Sequence, residues 1–393
     1  MKKEKKLLIL SLVSIVVVST FAIYTAFKEP PTWQKTFGGP DNETGFMSIN
    51  SVKLGYISLG TITISNDTDV YLISLDENGN VKWENSFGGL GKDYGYSIHR
   101  DLGGGYAIVG KTNSYGAGQY DAWLVNIDEN GTPKWNITYG GPGNDSAYSF
   151  KTTQDSGFIL AGSSTSLGLN GSDVYVIKTN QKGALQWQET FGGSGNEWGK
   201  SVLQMQNGSY WVLGSTNSSF ANYDFYLLNL DSKGRLMLNK TFGGANDDFG
   251  DTVIGTEDNN LLLSGLTNSS GAGAFDTLII KTDTYGNQIW NRTFGGPGND
   301  SATFIRETDD GGYILIGDTN SFGAGGFDIF VVKFNNAGLQ QWNRTFGGPG
   351  NDYAHFILET LDNGYLLTGT TNSTGAGGND IILIKMDSLG QVK

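Results

Sequence analysis

The hydrophobic positions of this chain fall into short runs of four to seven residues, rich in β-branched and aromatic side chains. Gly, Asn and Asp bound these runs, which is typical of tight turns because Gly readily adopts positive φ. One representative stretch predicts four strands, at Ala184–Thr190, Gly199–Gln204, Tyr210–Ser215 and Phe225–Leu230. The pattern therefore predicts an all-β fold.

The strand pattern recurs seven times. The triplet Phe-Gly-Gly begins at Phe37, Phe87, Phe191, Phe242, Phe294 and Phe346, and Tyr139 opens the remaining copy. Successive copies are 50 to 52 residues apart. Four short strands in each repeat of about 50 residues are typical of a β-propeller blade. We therefore expect one seven-bladed β-propeller with four strands in each blade, spanning residues 30–393.

Two further residues recur in the repeat. A Trp stands four residues before the triplet in six copies, and Leu238 replaces it in the other. We expect this ring to pack between blades. An Asp follows later in every copy, at Asp69, Asp121, Asp173, Asp224, Asp276, Asp328 and Asp380.

The two ends of the repeat region complement each other. The last copy stops at Gly390–Lys393, where a further strand is due, and the first copy opens with that strand, Trp33–Phe37. We predict that Trp33–Phe37 pairs with the strand near Asp380–Asp387 and completes the last blade. Such pairing removes an open sheet edge and closes the ring.

The N-terminal segment departs from the strand pattern. Leu7–Phe27 contains 21 residues without a charge, enough for a helix to cross a membrane, and four lysines precede it. By the positive-inside rule, residues 1–29 form a cytoplasmic basic stub and a single-pass transmembrane signal-anchor, with an extracellular body. A cleaved signal peptide is the alternative, because Thr20 and Ala22 make a small-residue cleavage site. Both interpretations place the body outside the cell membrane.

The net charge and the cysteine content limit the partners and the chemistry that we expect. The net charge is −13, and because the first 29 residues contribute +3, the body carries −16. So acidic a body repels phosphate backbones, and we expect no nucleic-acid partner. The chain has no cysteine, which excludes disulfides and thiol catalysis. Fourteen Asn-x-Ser/Thr sequences make an exported body a candidate glycoprotein.

Strand direction sorts the loops between two faces. We name the strands of a blade A to D from the axis outward, with the Trp strand as D. The D–A and B–C connections are the longer ones, and they share what we call the long-loop face; the tight A–B and C–D turns share the opposite, tight-turn face. Binding sites on such scaffolds lie on long loops, so we expect the long-loop face to carry the function.

An acid occupies the long-loop face in every copy, six residues after the aromatic of the triplet. These acids are Glu43, Asp93, Asp145, Glu197, Asp248, Asp300 and Asp352. One interpretation is a calcium site, because hard cations take oxygen ligands. The other is that each carboxylate accepts N–H groups of its own Gly-rich loop. Sevenfold recurrence and the lack of a D-x-[DN]-x-[DN]-G loop favour the structural interpretation, and no other cofactor is expected.

The residue that follows each of these acids differs from copy to copy. The position is occupied by Thr44, Tyr94, Ser146, Trp198, Phe249, Ser301 and Tyr353. The four aromatic residues, Tyr94, Trp198, Phe249 and Tyr353, are our predicted ligand-binding residues, since exposed rings beside acids are typical of peptide or glycan sites. The alternative is that the rings fold onto the neighbouring blade. The position that follows is always Gly or Ala, which we attribute to crowding near the axis.

The remaining side chains indicate binding rather than catalysis. The only two histidines, His99 and His355, stand at different positions of their copies, so neither a histidine metal site nor a repeated relay is predicted. No G-x-S-x-G nucleophile elbow is present, and we predict no catalytic residue. The alternative is a propeller hydrolase or lyase that uses paired acids such as Asp248 and Asp300 near the axis.

Residues 33–393, with their FGG-x-G-N-D, D-G-G-Y and G-x-x-D signatures, resemble the β-propeller repeat proteins of archaeal and bacterial cell surfaces. The resemblance implies fold and location, and it is compatible with an extracellular binding or scaffold module for a protein or glycan. Asp76–Trp83 also resembles the tryptophan-docking motif of quinoprotein propellers and, more loosely, the Asp box of sialidases, with spacing one residue different. That likeness implies blade packing and no cofactor.

Overall fold

A computed structural model describes residues 31–168, 170–218 and 222–392. These residues form strands only, and none of them belongs to a helix long and apolar enough to cross a membrane. The expected stub and signal-anchor at residues 1–29 lie outside the described residues.

The strands form seven antiparallel four-stranded sheets, which are the blades of one propeller. Blade 1 is β2 (Asn42–Asn50), β3 (Tyr56–Ile64), β4 (Asp67–Leu75) and β5 (Val81–Phe87); blade 2 is β6 (Asp93–Arg100), β7 (Tyr106–Thr112), β8 (Asp121–Ile127) and β9 (Pro133–Tyr139); blade 3 is β10 (Asp145–Thr152), β11 (Phe158–Ser164), β12 (Asp173–Thr179) and β13 (Leu185–Phe191); blade 4 is β14 (Glu197–Gln204), β15 (Tyr210–Thr216), β16 (Asp224–Leu230) and β17 (Leu236–Phe242). Blade 5 is β18 (Asp248–Gly255), β19 (Leu261–Thr267), β20 (Asp276–Thr282) and β21 (Gln288–Phe294); blade 6 is β22 (Phe304–Glu307), β23 (Tyr313–Thr319), β24 (Asp328–Phe334) and β25 (Gln340–Phe346); blade 7 is β26 (Asp352–Glu359), β27 (Tyr365–Thr371), β28 (Asp380–Met386) and β1 (Trp33–Phe37). The seven-bladed, four-stranded architecture predicted from the repeat is confirmed.

The N-terminal strand closes the ring as predicted. β1 pairs antiparallel with β28 over its whole length, from Trp33 opposite Lys385 to Phe37 opposite Ile381. Side chains of blades 1 and 7 also bond across the closure, where the hydroxyls of Ser48 and Thr368 are 2.6 Å apart. The outer strand of blade 7 therefore comes from the opposite end of the chain.

The hydrophobic core lies between the blades rather than at the axis. Each of seven clusters joins the facing sides of two adjacent blades, as where Leu59 and Val70 of blade 1 pack with Ile98 and Trp123 of blade 2. The recurrent Trp contributes as expected: the ring of Trp83 covers Gly131 in the C–D turn of blade 2. Gly131 has φ 80°, so this turn needs a residue without Cβ both for its conformation and for the ring above it.

The Gly or Ala at the start of strand A lies at a crowded position. A Cβ at Gly45 would meet the carbonyl oxygen of Gly369 in blade 7 at 2.7 Å, and one at Gly250 would meet that of Gly214 in blade 4 at 2.5 Å. The crowding on these inner strands therefore comes from the adjacent blade.

Strand A of each blade lines a central channel, and in six blades its first half contains a β-bulge. The register skips Phe46, Tyr96, Tyr148, Lys200, Asp251 and His355. In blade 6 Thr303 occupies this position, just before the shortened β22. A bulge leaves one residue unpaired and redirects its side chain. Each blade consequently directs one additional side chain towards the channel.

Candidate ligand-binding site

The D–A and B–C loops of a blade are joined on the long-loop face, as the alternation of strands predicts. In blade 3, the N–H of Gly143 in the D–A loop donates to Oγ of Ser166 in the B–C loop, at 2.8 Å. Blade 1 is the exception, because β3 and β4 are joined by a two-residue hairpin at Ser65–Asn66. Its B–C connection is therefore short.

The acid six residues after each triplet aromatic is bonded to its own Gly-rich loop. In all seven copies a carboxylate oxygen accepts the N–H of the residue four positions earlier, at 2.7 to 3.2 Å. Six of these acids also accept the hydroxyl of a B–C loop serine, from Ser114 to Ser373. These bonds fix the two loops of a blade to each other.

Each of these acids also faces the recurrent Asp of strand C in the preceding blade. A Cβ added at Gly295, for example, would collide with the carboxylates of both Asp276 and Asp300. Burial, together with the charge of Asp248, raises the pKa of the paired Asp224. Asp248 and Asp300, the acids considered for hydrolysis, are fully buried, and each has a separate strand C partner, Asp224 and Asp276.

Few possible calcium ligands lie close together among the described residues. The described residues contain no group of three or more His, Cys, Asp or Glu side chains placed to share an ion. Calcium takes six to eight oxygen ligands, and each acid pair supplies two carboxylates. Calcium binding at these seven positions therefore stays a prediction.

The four predicted aromatic residues lie half-buried on the long-loop face, each against a second ring. Trp198 lies 4.9 Å from Tyr223, and Tyr353 lies 5.8 Å from Phe327, measured between ring centroids. The two other pairs are Tyr94 with Tyr120 and Phe249 with Phe275. The second ring comes in each case from the B–C loop, directly before strand C. Loop and strand thus hold the aromatic surface rigid.

The bulged residues form a ring of unlike side chains in the channel. Phe46, Tyr96 and Tyr148 make a continuous aromatic arc with centroid separations of 5.3 and 5.6 Å. His355 adjoins Phe46 at one end of the arc, and the Lys200 ammonium lies 4.7 Å from the Tyr148 ring at the other. The channel cavity has a volume of about 660 Å³, within the range of small-molecule sites.

Burial changes the protonation of the channel side chains. It raises the pKa of Asp251 to about 6, although the nearby Lys200 opposes the rise. Burial and the charge of Lys200 lower the pKa of His355 to about 4, so this imidazole is neutral at pH 7. The channel therefore offers a cation, a neutral imidazole and a carboxyl group that exchanges its proton just below neutral pH.

These channel residues were not predicted from the sequence. The two positions before them in the repeat were singled out, whereas the bulged position lies one residue later. The signal was nevertheless present in the sequence, because this position varies more in chemistry than its neighbours and includes His355, one of only two histidines.

The arrangement of strands and channel defines the chain as a seven-bladed β-propeller protein. No family model and no curated protein matches the sequence. A solved puromycin hydrolase mutant complexed with PGG has a TM-score of 0.51 and 10% identity, over 91% of this chain and 53% of that chain. This chain thus spans about half the length of that hydrolase, and the likeness concerns the fold alone.

Two other solved structures are similar at lower scores. YCF48 bound to a D1 peptide has a TM-score of 0.47 and 11% identity, covering 91% of this chain and 97% of that one. A protein of unknown function from Dyadobacter fermentans also has a TM-score of 0.47, with 10% identity over 90% of this chain and 98% of that chain.

Proposed function

We propose that this chain is a non-catalytic recognition module, held outside a cell membrane by residues 1–29, whose long-loop face binds a protein or glycan partner. The observation that carries the proposal is the set of paired aromatic rings around the channel mouth. Rings fixed against other rings lose little conformational entropy on binding, so they are efficient contact residues.

The polar neighbours of these rings support recognition. Trp198 and Phe249 line a cavity of about 390 Å³ together with Ser163, Ser172 and Asp251. Aromatic rings beside hydroxyl and carboxyl groups offer both stacking and hydrogen bonds to a sugar or a peptide. The acids Asp248 and Asp300 bond to their own loops, so our proposal does not include hydrolysis by these residues.

The membrane and surface location rest on the sequence. The uncharged Leu7–Phe27 segment, the lysines before it and the resemblance to cell-surface propeller proteins support an extracellular body.

A triple substitution tests the binding face. Trp198→Ala, Phe249→Ala and Tyr353→Ala together should abolish binding of the purified protein to intact cells while the melting temperature changes little. Tyr285→Ala is the matched control, because Tyr285 is an exposed aromatic residue in a C–D turn of the tight-turn face. Protease treatment of the cells removes a protein partner, and periodate oxidation removes a glycan. Unchanged binding by the triple variant, or equal loss with Tyr285→Ala, would refute the proposed face.

A further inference from the structure

The channel contains two solvent-exposed lysines. Lys151 and Lys200 line the same cavity, on the inner strands β10 and β14 of adjacent blades. Neither forms an ion pair with any described residue. By contrast, Lys178, Lys281, Lys333 and Lys385, buried elsewhere in the propeller, are each paired with an Asp. The two channel lysines are thus distinguished from the structural ones.

The surroundings of these lysines are mostly positive. The surrounding channel walls and the charge of Arg306 lower the pKa of Lys151 to about 8, although its side chain reaches solvent in the channel. Burial also lowers the pKa of Lys111, and the positive charge of Lys200 adds to that effect. Asp251 is the single carboxyl group among the described residues lining the cavity. A body of net charge −16 therefore encloses a channel in which cations outnumber anions.

One wall of the channel is suited to a ring. Phe46, Tyr96 and Tyr148 form the aromatic arc, and Lys200 lies at its end against Tyr148. The Lys200 ammonium lies over the Tyr148 ring, so a ligand ring placed beside that ring would bring a substituent to the ammonium. Lys151 lies on the same strand as Tyr148, three residues further along, which is about 10 Å in extended chain. It adds attraction for an anion at the other end of such a ligand.

We propose that the central channel binds a small organic acid in which a carboxylate is joined to a ring directly or through one carbon, with the carboxylate on Lys200 and the ring beside Tyr148 and Tyr96. This site goes beyond the proposed recognition function, because it lies inside the channel and takes a small molecule rather than a surface partner. Sugar acids and aromatic acids share this chemistry, and the choice of probes distinguishes them.

The test measures binding to the purified full-length chain by titration calorimetry. The probes are glucuronate and phenylacetate, each compared with a neutral counterpart, glucose and phenylacetamide. We expect at least one acid to bind, and its neutral counterpart to bind about tenfold more weakly or worse, because a charge-assisted hydrogen bond is lost. Binding of glucuronate alone indicates a sugar acid, and binding of phenylacetate alone an aromatic acid.

Variants localise the site. Lys200→Met should weaken binding of the acid about tenfold or more, and Lys200→Arg should retain most of it. Lys182→Met, at an exposed lysine of a C–D turn, is the control for loss of one positive charge and should bind normally. The comparison of acid with neutral probe uses the unmodified chain, so it decides the question even where a variant fails to fold.

Three results would overturn the channel site. They are no binding by either acid at millimolar concentration, equal binding by an acid and its neutral counterpart, and normal binding by folded Lys200→Met. Tyr353→Ala, at a recognition residue outside the cavity that Lys200 and Tyr148 share with Trp198 and Phe249, should still bind the acid. Failure of the surface-recognition proposal is therefore distinguishable from failure of this one.

Discussion

The carboxylate of Asp318 in blade 6 accepts the backbone N–H of Ala354 in blade 7, at 2.7 Å. Its other oxygen receives the hydroxyl of Ser301 at 3.2 Å. The corresponding position in blade 4 is Ser215, whose hydroxyl accepts the N–H of Gly250 at 3.0 Å. Blade 6 thus makes the same inter-blade bond with an ionisable group.

Replacement of this acid should change the pH dependence of stability. Burial raises the pKa of Asp318 to about 7, although its hydrogen bonds oppose the rise. A carboxyl group whose pKa is raised on folding stabilises the fold at a pH below its unfolded pKa near 4. This stabilisation is lost as the pH rises towards 7. Asp318→Asn keeps the bond from the Ala354 N–H on its amide oxygen, can donate its amide N–H to the Ser301 hydroxyl, and cannot ionise. We therefore expect it to exceed the unmodified protein in stability by about 2 kcal/mol at pH 8.

Chemical denaturation at pH 4 and pH 8 measures this effect. The two proteins should be nearly equal at pH 4, where Asp318 is protonated when folded. An Asn variant that is less stable than the unmodified protein at both pH values would show that the ionised carboxylate is the favoured form.

Ring closure through β1 should contribute more to the stability of the propeller than an ordinary outer strand does. Replacing Trp33–Phe37 by a Gly/Ser segment of equal length removes two buried aromatic side chains and the strand through which the N-terminal end of the chain is hydrogen-bonded to blade 7. We expect a loss of about 5 kcal/mol or more and a less cooperative thermal transition. The control replaces β25, an outer strand that also contains a Trp but lies within the chain. Equal losses in both variants would show that closure adds nothing.

The buried lysine Lys385 should be a stability determinant of blade 7. Its side chain is 0% exposed, and Nζ donates to Asp362 at 2.9 Å. Lys385→Met leaves the carboxylate without its cation, and we expect a loss of about 2 kcal/mol in urea denaturation. The double variant with Asp362→Asn measures the coupling, which should be about 1 kcal/mol or more. Additive losses would contradict a stabilising pair.

The proposed orientation is open to a protease test. In intact cells, added protease should digest the propeller and leave a fragment containing residues 1–29, because only the N-terminus lies inside. A tag placed before Met1 detects that fragment, and a tag after Lys393 should disappear. Protection of both tags would place the body inside the cell. Release of the body without protease would favour the cleaved signal peptide.

The blade structure was predictable because it depends on spacing along the chain. The Phe-Gly-Gly triplet, the Trp before it and the turn glycines recur at fixed intervals, and the missing strand after Gly390 pointed to Trp33–Phe37. Hydrogen bonds between an acid and its own loop, such as Asp300 with Gly296, also follow from residues close in sequence. Local patterns therefore determined most of the fold.

The channel lining was not predictable in the same way. A period-two pattern assigns faces along a regular strand, but a bulge adds one residue and reverses the assignment beyond it. Lys200 lies between Gly199 and Ser201 with no local sign that the register skips it. Asp318 was overlooked because its partner Ala354 is 36 residues away in another blade. Both depend on positions that only the assembled ring brings together.

The bulges have a consequence for how such a protein diversifies. Since a bulged residue contributes no ladder hydrogen bond, its replacement leaves the blade intact while altering what the channel can accommodate. A propeller assembled by duplication of one blade begins with seven identical side chains around its axis. Later point mutations at these positions give each blade its own chemistry, so ligand preference and folding are inherited through different sites of the same repeat.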